Sequence, residues 1–321
     1  STRTPRRSVA VTGAAGYIGS RVVWQLRNEH PDWEITALDN FYLGEVPEIA
    51  GVTVQDIDIR NRERLRSALS GSDVVIHLAA ISGVDDCTEN PDLAYEVNAV
   101  GTMNVAWFCR QTETPLAFPF SMAVVGDPTD FPIHVELPRD PLNWYGETKV
   151  IGERVIETMA EASFPAHLFM ISNLYGSHTV GALDVSKATV INFFVDRVLA
   201  EQPITVYEPG SQSRNFVHVK DVANAFCLSA ERLAAQPDPG ARKFEIATDE
   251  DPSILEVGQT VQRLAAERRD IDVELEMVPN PRANETLVER FDVSTEGIEA
   301  ALAWQPTRSV EESIEALLTD S

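Results

Sequence analysis

The chain has 321 residues, 44% of them apolar, and carries 50 Asp and Glu against 26 Lys and Arg, a formal net charge of −24. The apolar share is that of an ordinary globular protein. The charge repels nucleic-acid phosphates and anionic lipid, so neither a nucleic acid nor a membrane is expected as a partner.

The polar, basic stretch Ser1 to Arg7 has no apolar run behind it and reads as a frayed end rather than a signal peptide. Val9 to Thr12 is a short β-branched run that passes into Gly13-Ala14-Ala15-Gly16-Tyr17-Ile18-Gly19 and then into helical periodicity from Ile18 to Asn28. Spaced glycines let a backbone turn tightly against a pyrophosphate, and the helix behind them offers N–H groups and its positive dipole end. The next strand, Ile35 to Leu38, ends in Asp39, about 20 residues on, where a carboxylate binds an adenosine ribose. Glycine turns end many strands without a ligand; strand, turn, helix, strand and Asp in register carry the dinucleotide reading.

Val52 to Val54, Val74 to Ala79 and Leu116 to Phe120 continue the strands, and Arg62 to Leu69 and Leu93 to Cys109 the helices. Such alternation implies a Rossmann-type doubly wound parallel sheet, with ligand beyond the carboxyl ends of its strands. Pro119 marks a bulge or an early strand end, because proline removes a ladder hydrogen bond. Ser121 emerges at the end of that strand, on the rim where a cofactor sits.

Tyr145 and Lys149 lie four apart on a helix running to Met159, so their side chains share a face. A tyrosine acts as a base only when its pKa, ordinarily about 10, is lowered, and a neighbouring ammonium acts in that direction. By itself the pair is more often a packed aromatic beside a solvated charge; the glycine turn upstream gives it a catalytic reading, with Ser121 as the relay.

Beyond Asn173 the pattern loosens. A loop is expected over Gly176 to Asp184, a helix over Ala188 to Ala200, and a strand over Ile204 to Tyr207. Strands at Phe244 to Ala247 and Val273 to Val278 flank a helix from Ser253 to Glu267, whose Ser253 and Glu256 form a capping box. Two short helices follow. The expected division is a dinucleotide-binding domain of residues 1–173 and 214–249, and a smaller mixed α/β substrate domain of residues 174–213 and 250–321, with a cleft between them. Cys87, Cys109 and Cys227 are odd in number and lack CxxC spacing, so neither a disulfide framework nor a metal is expected, and a cytoplasmic setting fits. Lysine stands only at Lys149, Lys187, Lys220 and Lys243, and this acidic, lysine-poor balance reads as adaptation to high salt.

The glycine turn, Asp58-Ile59-Arg60, His77-Leu78-Ala79-Ala80, Asn98, Ser121 and Tyr145 with Lys149 together resemble the extended short-chain dehydrogenase/reductase superfamily. Asn173-Leu174-Tyr175-Gly176, Arg214 to Val222 and the ending Phe291 to Pro306 resemble its nucleotide-sugar epimerase/dehydratase branch. The resemblance implies NAD held by Gly13, Gly16, Tyr17, Ile18 and Gly19 at the pyrophosphate, Asp39 and Asn40 at the ribose, and Asp58 and Ile59 at the adenine. Leu78, Ala79 and Ala80 would line its channel, Asn98 would hold the neighbouring helix and the cofactor edge, and Tyr145 and Lys149 would lie at the nicotinamide. Asp39 without a following arginine favours NAD over NADP. Ser121 and Met122 would face the sugar, and Asn173, Arg214 and Arg282 would grip its nucleotide diphosphate, a task suited to guanidinium.

Dehydratases of this branch carry a Thr-Asp-Glu cluster where this chain has Ser121-Met122-Ala123, so the acid and base for eliminating water are missing. The resemblance therefore implies a 4-epimerase, most simply of UDP-glucose and UDP-galactose. A net sugar dehydrogenase or reductase, or a non-catalytic NAD-binding sensor, stands as the alternative. Val125 and Met170 depart from a usual tyrosine and arginine, which bears on which sugar is taken. A homodimer is implied through Leu93 to Cys109 and Tyr145 to Ala160, with Trp107, Phe108, Ile156 and Met159 as apolar contacts.

Overall fold

The structure is a computed structural model that describes residues 6–282 and 284–320. The expected frayed end, Ser1 to Arg7, lies outside these except for Arg6 and Arg7. The first half alternates β1 (Ser8–Thr12), α1 (Gly19–Glu29), β2 (Glu34–Asp39), β3 (Glu48–Ile49), β4 (Val52–Asp56), α2 (Arg62–Leu69) and β5 (Val74–His77). There follow α3 (Val84–Glu89), α4 (Pro91–Tyr95), a π-helical turn (Glu96–Gly101), α5 (Thr102–Thr112), β6 (Leu116–Ser121), α6 (Trp144–Ala160) and β7 (Pro165–Ile171). The second half contains β8 (Asn173–Tyr175), β9 (His178–Val180), β10 (Leu183–Val185), α7 (Val190–Leu199), β11 (Ile204–Tyr207), β12 (Phe216–His218), α8 (Val219–Ala234) and β13 (Gly240–Ile246). It closes with α9 (Ile254–Arg269), β14 (Leu275–Val278), α10 (Glu296–Leu302) and α11 (Val310–Thr319).

Alternate residues of each strand point to opposite faces, and both faces are covered. Ala10, Val75, Phe118 and Phe120 pack with Val105, Val150 and Ile156 of α5 and α6. Val9, Val11, Ile76 and Phe169 pack with Val22, Leu26, Val222 and Phe226 of α1 and α8. The result is an eight-stranded sheet in the order β13-β7-β6-β5-β1-β2-β4-β3, parallel apart from β3 on β4. The strand order reverses beside β1, which pairs with β2 on one edge and β5 on the other. This switch point is where an open α/β sheet leaves a crevice for a ligand. A third apolar cluster joins Phe194 of α7, Val206 of β11, Val257 and Val261 of α9 and Ile314 of α11.

Several expectations are corrected. Pro119 makes neither bulge nor strand end, since β6 keeps unbroken register with β7 from Leu116 to Ser121. Odd positions of this strand direct their backbone groups toward β5, as the Val75 N–H donating to the Pro115 carbonyl shows. The β5 ladder has already ended at Ala117, so the missing N–H costs no bond. β5 stops at His77 rather than Ala79, because the Leu78 and Ala79 N–H groups donate to Thr12 Oγ1 at 3.1 and 3.2 Å. The helix expected over Leu93 to Cys109 is split by the π turn. The loop expected over Gly176 to Asp184 contains the antiparallel pair β9–β10. The capping box is present, with Ser253 N–H donating to Glu256 at 2.7 Å and Glu256 N–H to Ser253 at 3.1 Å. Among the described residues no helix is long and apolar enough to cross a membrane.

Candidate active site

The glycine turn after β1 is shaped by exclusion. Gly13 has φ +70°, and a Cβ there would lie 2.6 Å from the Ala79 nitrogen. A Cβ on Gly19 would lie 2.0 Å from the Gly13 carbonyl oxygen, backbone against backbone. Gly16 closes the turn by donating its N–H to the Gly13 carbonyl at 3.2 Å. Tyr17 donates its hydroxyl to the Gly176 carbonyl at 2.5 Å, tying the turn to the segment after β8. Ile18 packs on the core, and α1 begins with no side-chain cap and no acid in its first turn. A cradle of this kind, filled by any Cβ and opening on a helix N-terminus, fits a dinucleotide pyrophosphate.

Asp39 is buried at the end of β2 and accepts from the Ala15 N–H at 3.0 Å and the Phe41 N–H at 2.8 Å, while its burial raises its pKa. Asn40 donates to Asp58 at 3.4 Å. Hydrogen bonding by the Arg60 guanidinium holds the Asp58 carboxyl down at about 2. Ile59 is buried against Gly101, whose Cβ would meet the Ile59 Cδ1 at 2.4 Å. Leu78, Ala79 and Ala80 are half-buried beside the glycine turn. Asn98, in the π turn, accepts from the Ile81 N–H at 2.9 Å and donates to the Ile81 carbonyl at 2.8 Å and to Thr148 Oγ1 at 3.0 Å. It thereby ties the segment after β5 to the helix that bears Tyr145 and Lys149.

Sequence reasoning quoted Thr12 and His77 without giving either a role. Thr12 Oγ1 accepts two backbone N–H groups, so its own hydroxyl points to His77 Nδ1 at 2.7 Å. The other ring nitrogen faces Thr102 Oγ1 at 3.0 Å, and burial pushes the imidazole down to about 3, leaving it neutral.

Ser121, Tyr145 and Lys149 are brought together. Ser121 ends β6 and accepts from the Ala123 N–H at 3.1 Å, and its hydroxyl lies close enough to the Tyr145 phenol to pull that group's pKa down. α6 starts beside this loop because its residue 146 is glycine; a Cβ there would lie 2.9 Å from the Ala123 carbonyl oxygen. Asn143 caps the helix by accepting from the Gly146 N–H at 3.0 Å. The Lys149 ammonium is buried 5.8 Å from the Tyr145 ring centroid and 5.7 Å from that of Phe118. Burial lowers Lys149 to about 8 and raises Tyr145 to about 12, against a smaller downward pull from Ser121. The expected lowering of the phenol by the neighbouring ammonium is outweighed here, because desolvation of the ring dominates.

Met122, Val125 and Met170 have their side chains in the apolar core. Asn173 opens β8, its N–H donating to the Asn215 carbonyl at 2.9 Å. Arg214 is 7% exposed, donates to the Ser213 and Thr286 carbonyls at 2.8 Å each, and lies 3.4 Å from Glu285. Arg282 lies 3.6 Å from the same Glu285 and 3.1 Å from Asp85 at the start of α3. Asn143, two residues before Tyr145, donates to the Asn284 carbonyl at 3.3 Å, which closes this rim onto α6. Glu285, three residues after Arg282, carries no role assigned from sequence. Two depressions of about 440 and 310 Å³ lie elsewhere and contain none of these side chains. The acids of the larger one serve backbone N–H groups, as Glu250 does for Val310 and Asp251 for Phe291.

The model of the NAD dependent epimerase/dehydratase family matches residues 9–247. A putative UDP-glucose 4-epimerase of Methanocaldococcus jannaschii is 30% identical over 68% of this chain and 71% of its own length. The UDP-glucose 4-epimerase of Pisum sativum is 26% identical over 95% of this chain and 93% of its own. The crystal structure of Thermus thermophilus UDP-glucose 4-epimerase in complex with NAD has a TM-score of 0.81 at 27% identity, covering 97% of each chain. With the glycine turn at the sheet's switch point and the match spanning most of the chain, the protein belongs to the NAD-dependent epimerase/dehydratase family of extended short-chain dehydrogenases/reductases.

Proposed function

We propose that the protein is an NAD-dependent nucleotide-sugar 4-epimerase, with UDP-glucose and UDP-galactose as its simplest substrate pair. The observation that carries this reading is the meeting of the Ser121 and Tyr145 side chains in front of Lys149, with Met122 and Ala123 where an elimination would need carboxylates. NAD would be held by the glycine turn, Asp39 and the segment after β5, and would supply a hydride acceptor that returns the hydride within one turnover. Tyr145 removes the proton of the sugar 4-hydroxyl, and Ser121 bonds that oxygen and relays the proton. Lys149, with the positive charge that bound oxidised nicotinamide would add, would bring the phenol down from about 12. Arg214 and Arg282 hold the diphosphate while the 4-keto sugar turns over to present its other face.

Incubation with UDP-galactose and a catalytic amount of NAD tests this. Many turnovers of epimer per cofactor support it, whereas stoichiometric NADH with no epimer marks a net dehydrogenase.

We also assign the protein a homodimeric state. Tyr95, Val100, Met103 and Trp107 are exposed along the end of α4, the π turn and α5. They replace Phe108 and Ile156 as the proposed contacts, because those two are buried in the core. The buried thiols of Cys87, Cys109 and Cys227 fit a reducing cytosol, and the acidic surface fits high salt.

A further inference from the structure

Lys187, in the loop between β10 and α7, is a half-buried cation near the buried ammonium of Lys149 on α6. Its Nζ donates to Ser82 Oγ at 2.6 Å and to the Ser82 carbonyl at 3.3 Å. Ser82 follows Ile81, the residue that Asn98 clamps to Thr148, the immediate neighbour of Lys149. The contact therefore anchors Lys187 to the frame that positions Tyr145 and Lys149. No carboxylate oxygen of the described residues lies within 4.0 Å of the Lys187 Nζ.

The positive charge at this spot is only weakly balanced. Burial lowers the pKa of both lysines, and the Lys187 charge lowers that of Lys149 further. Cys87 stands close enough to couple to both, but burial raises its thiol to about 11, so it supplies no negative charge near neutrality. Asp86 pulls only against Lys187, and weakly beside desolvation. Oxidised nicotinamide, when bound, adds positive charge to the same region. In a chain of net charge −24, a buried and a half-buried cation without a carboxylate at ion-pair distance favour an anion that the ligand brings.

We infer that Lys187 is a specificity-determining residue that recognises a carboxylate on the sugar itself, so that the site takes nucleotide hexuronates in preference to neutral nucleotide hexoses. This rests on the epimerase reading for its chemistry at C4 and leaves that chemistry unchanged. Ser82 fixes the lysine stem, and a remaining N–H of the ammonium meets the carboxylate as a charge-assisted hydrogen bond.

The experiment compares UDP-glucuronate with UDP-glucose by calorimetric titration of the NAD-loaded protein. A Tyr145→Phe background prevents turnover. We expect UDP-glucuronate to bind tenfold or more tightly, and the ratio to fall to about one in Lys187→Met. Lys187→Gln, which still donates to Ser82, should behave like Lys187→Met if it is the charge that selects. Equal or tighter binding of UDP-glucose by the parent overturns the inference. So does an equal loss for both ligands on substitution, which would mark a contact to the diphosphate they share. Turnover separates the two readings: a uronate preference in binding without any 4-epimer sinks the epimerase and leaves Lys187 assigned. Epimer formation with no uronate preference does the reverse.

Discussion

The two sides of the cleft are held by different forces. On the glycine side the constraints are steric and backbone-borne: Gly13 against Ala79, Gly19 against Gly13, and Thr12 Oγ1 receiving two N–H groups. On the opposite side long charged chains meet, with Glu285 shared by Arg214 and Arg282 and Asp85 reached across the rim at 3.1 Å. The side chains of Arg282 and Asp85 are 42% and 65% exposed, and such pairs contribute little individually and exchange partners readily. A cofactor retained through every cycle suits the first kind of surface. On the proposed function, a substrate that must enter, turn over and leave suits the second, where its diphosphate would compete with Glu285 for guanidiniums already in place.

The largest effect expected is from Tyr145→Phe. Epimer formation should fall about a thousandfold while NAD affinity stays within a few-fold, showing that the chemistry is separable from the steric cradle. A retained rate rejects the role given to Tyr145. Gly19→Ala should weaken NAD binding at least a hundredfold by titration calorimetry, because its Cβ would lie 2.0 Å from a backbone oxygen. Near-normal affinity there would mean that the cradle gives way and the contrast is wrong. Arg214→Met should raise the KM for the nucleotide sugar about ten- to a hundredfold with a smaller change in kcat. A fall in kcat at constant KM would place Arg214 in the chemistry instead.

Smaller effects concern stability. Lys149 is lowered to about 8 from 10.5, so between these values the folded protein has shed a proton that the unfolded chain still holds. Lys149's contribution to the unfolding free energy should therefore rise with pH over that window, by about 3 kcal/mol. Lys149→Met should lack this rise and should be no less stable than the parent at pH 7. A parent-minus-variant difference that falls from pH 8 to 10 would contradict the buried ammonium. The mildest expected response is to salt: Tm should climb by a few degrees from low to molar KCl as surface repulsion is screened. A flat or falling Tm removes the high-salt reading.

What was legible in the sequence was local spacing. Glycines six apart in one turn and a tyrosine four residues before a lysine act through neighbouring backbone, so their geometry follows from the chain itself. The ranges of α2 and β11 and the Ser253 cap were readable for the same reason. Contacts made across long separations were not. Lys187 reaches Ser82 over 105 residues, and no motif surrounds either. Glu285 is paired by an arginine 71 positions away only because the chain folds back over the rim. The β9–β10 pair is too short to show alternation and owes its form to packing against α1, with His178 meeting the Tyr17 carbonyl at 2.8 Å. The pKa of Tyr145 was misjudged because depth of burial cannot be read from spacing.

The π turn from Glu96 to Gly101 holds one residue more than a regular helix would over the same rise. Asn98 sits within it, and Gly101 at its end takes the Ile59 side chain against its bare Cα. Removing a single residue, for instance Ala99, would restore ordinary helical spacing and swing the preceding side chains by about 100° relative to α5. Asn98 would then let go of Ile81 and Thr148 together. Substitutions along this stretch are tolerable wherever a side chain faces solvent, but a change in its length is not.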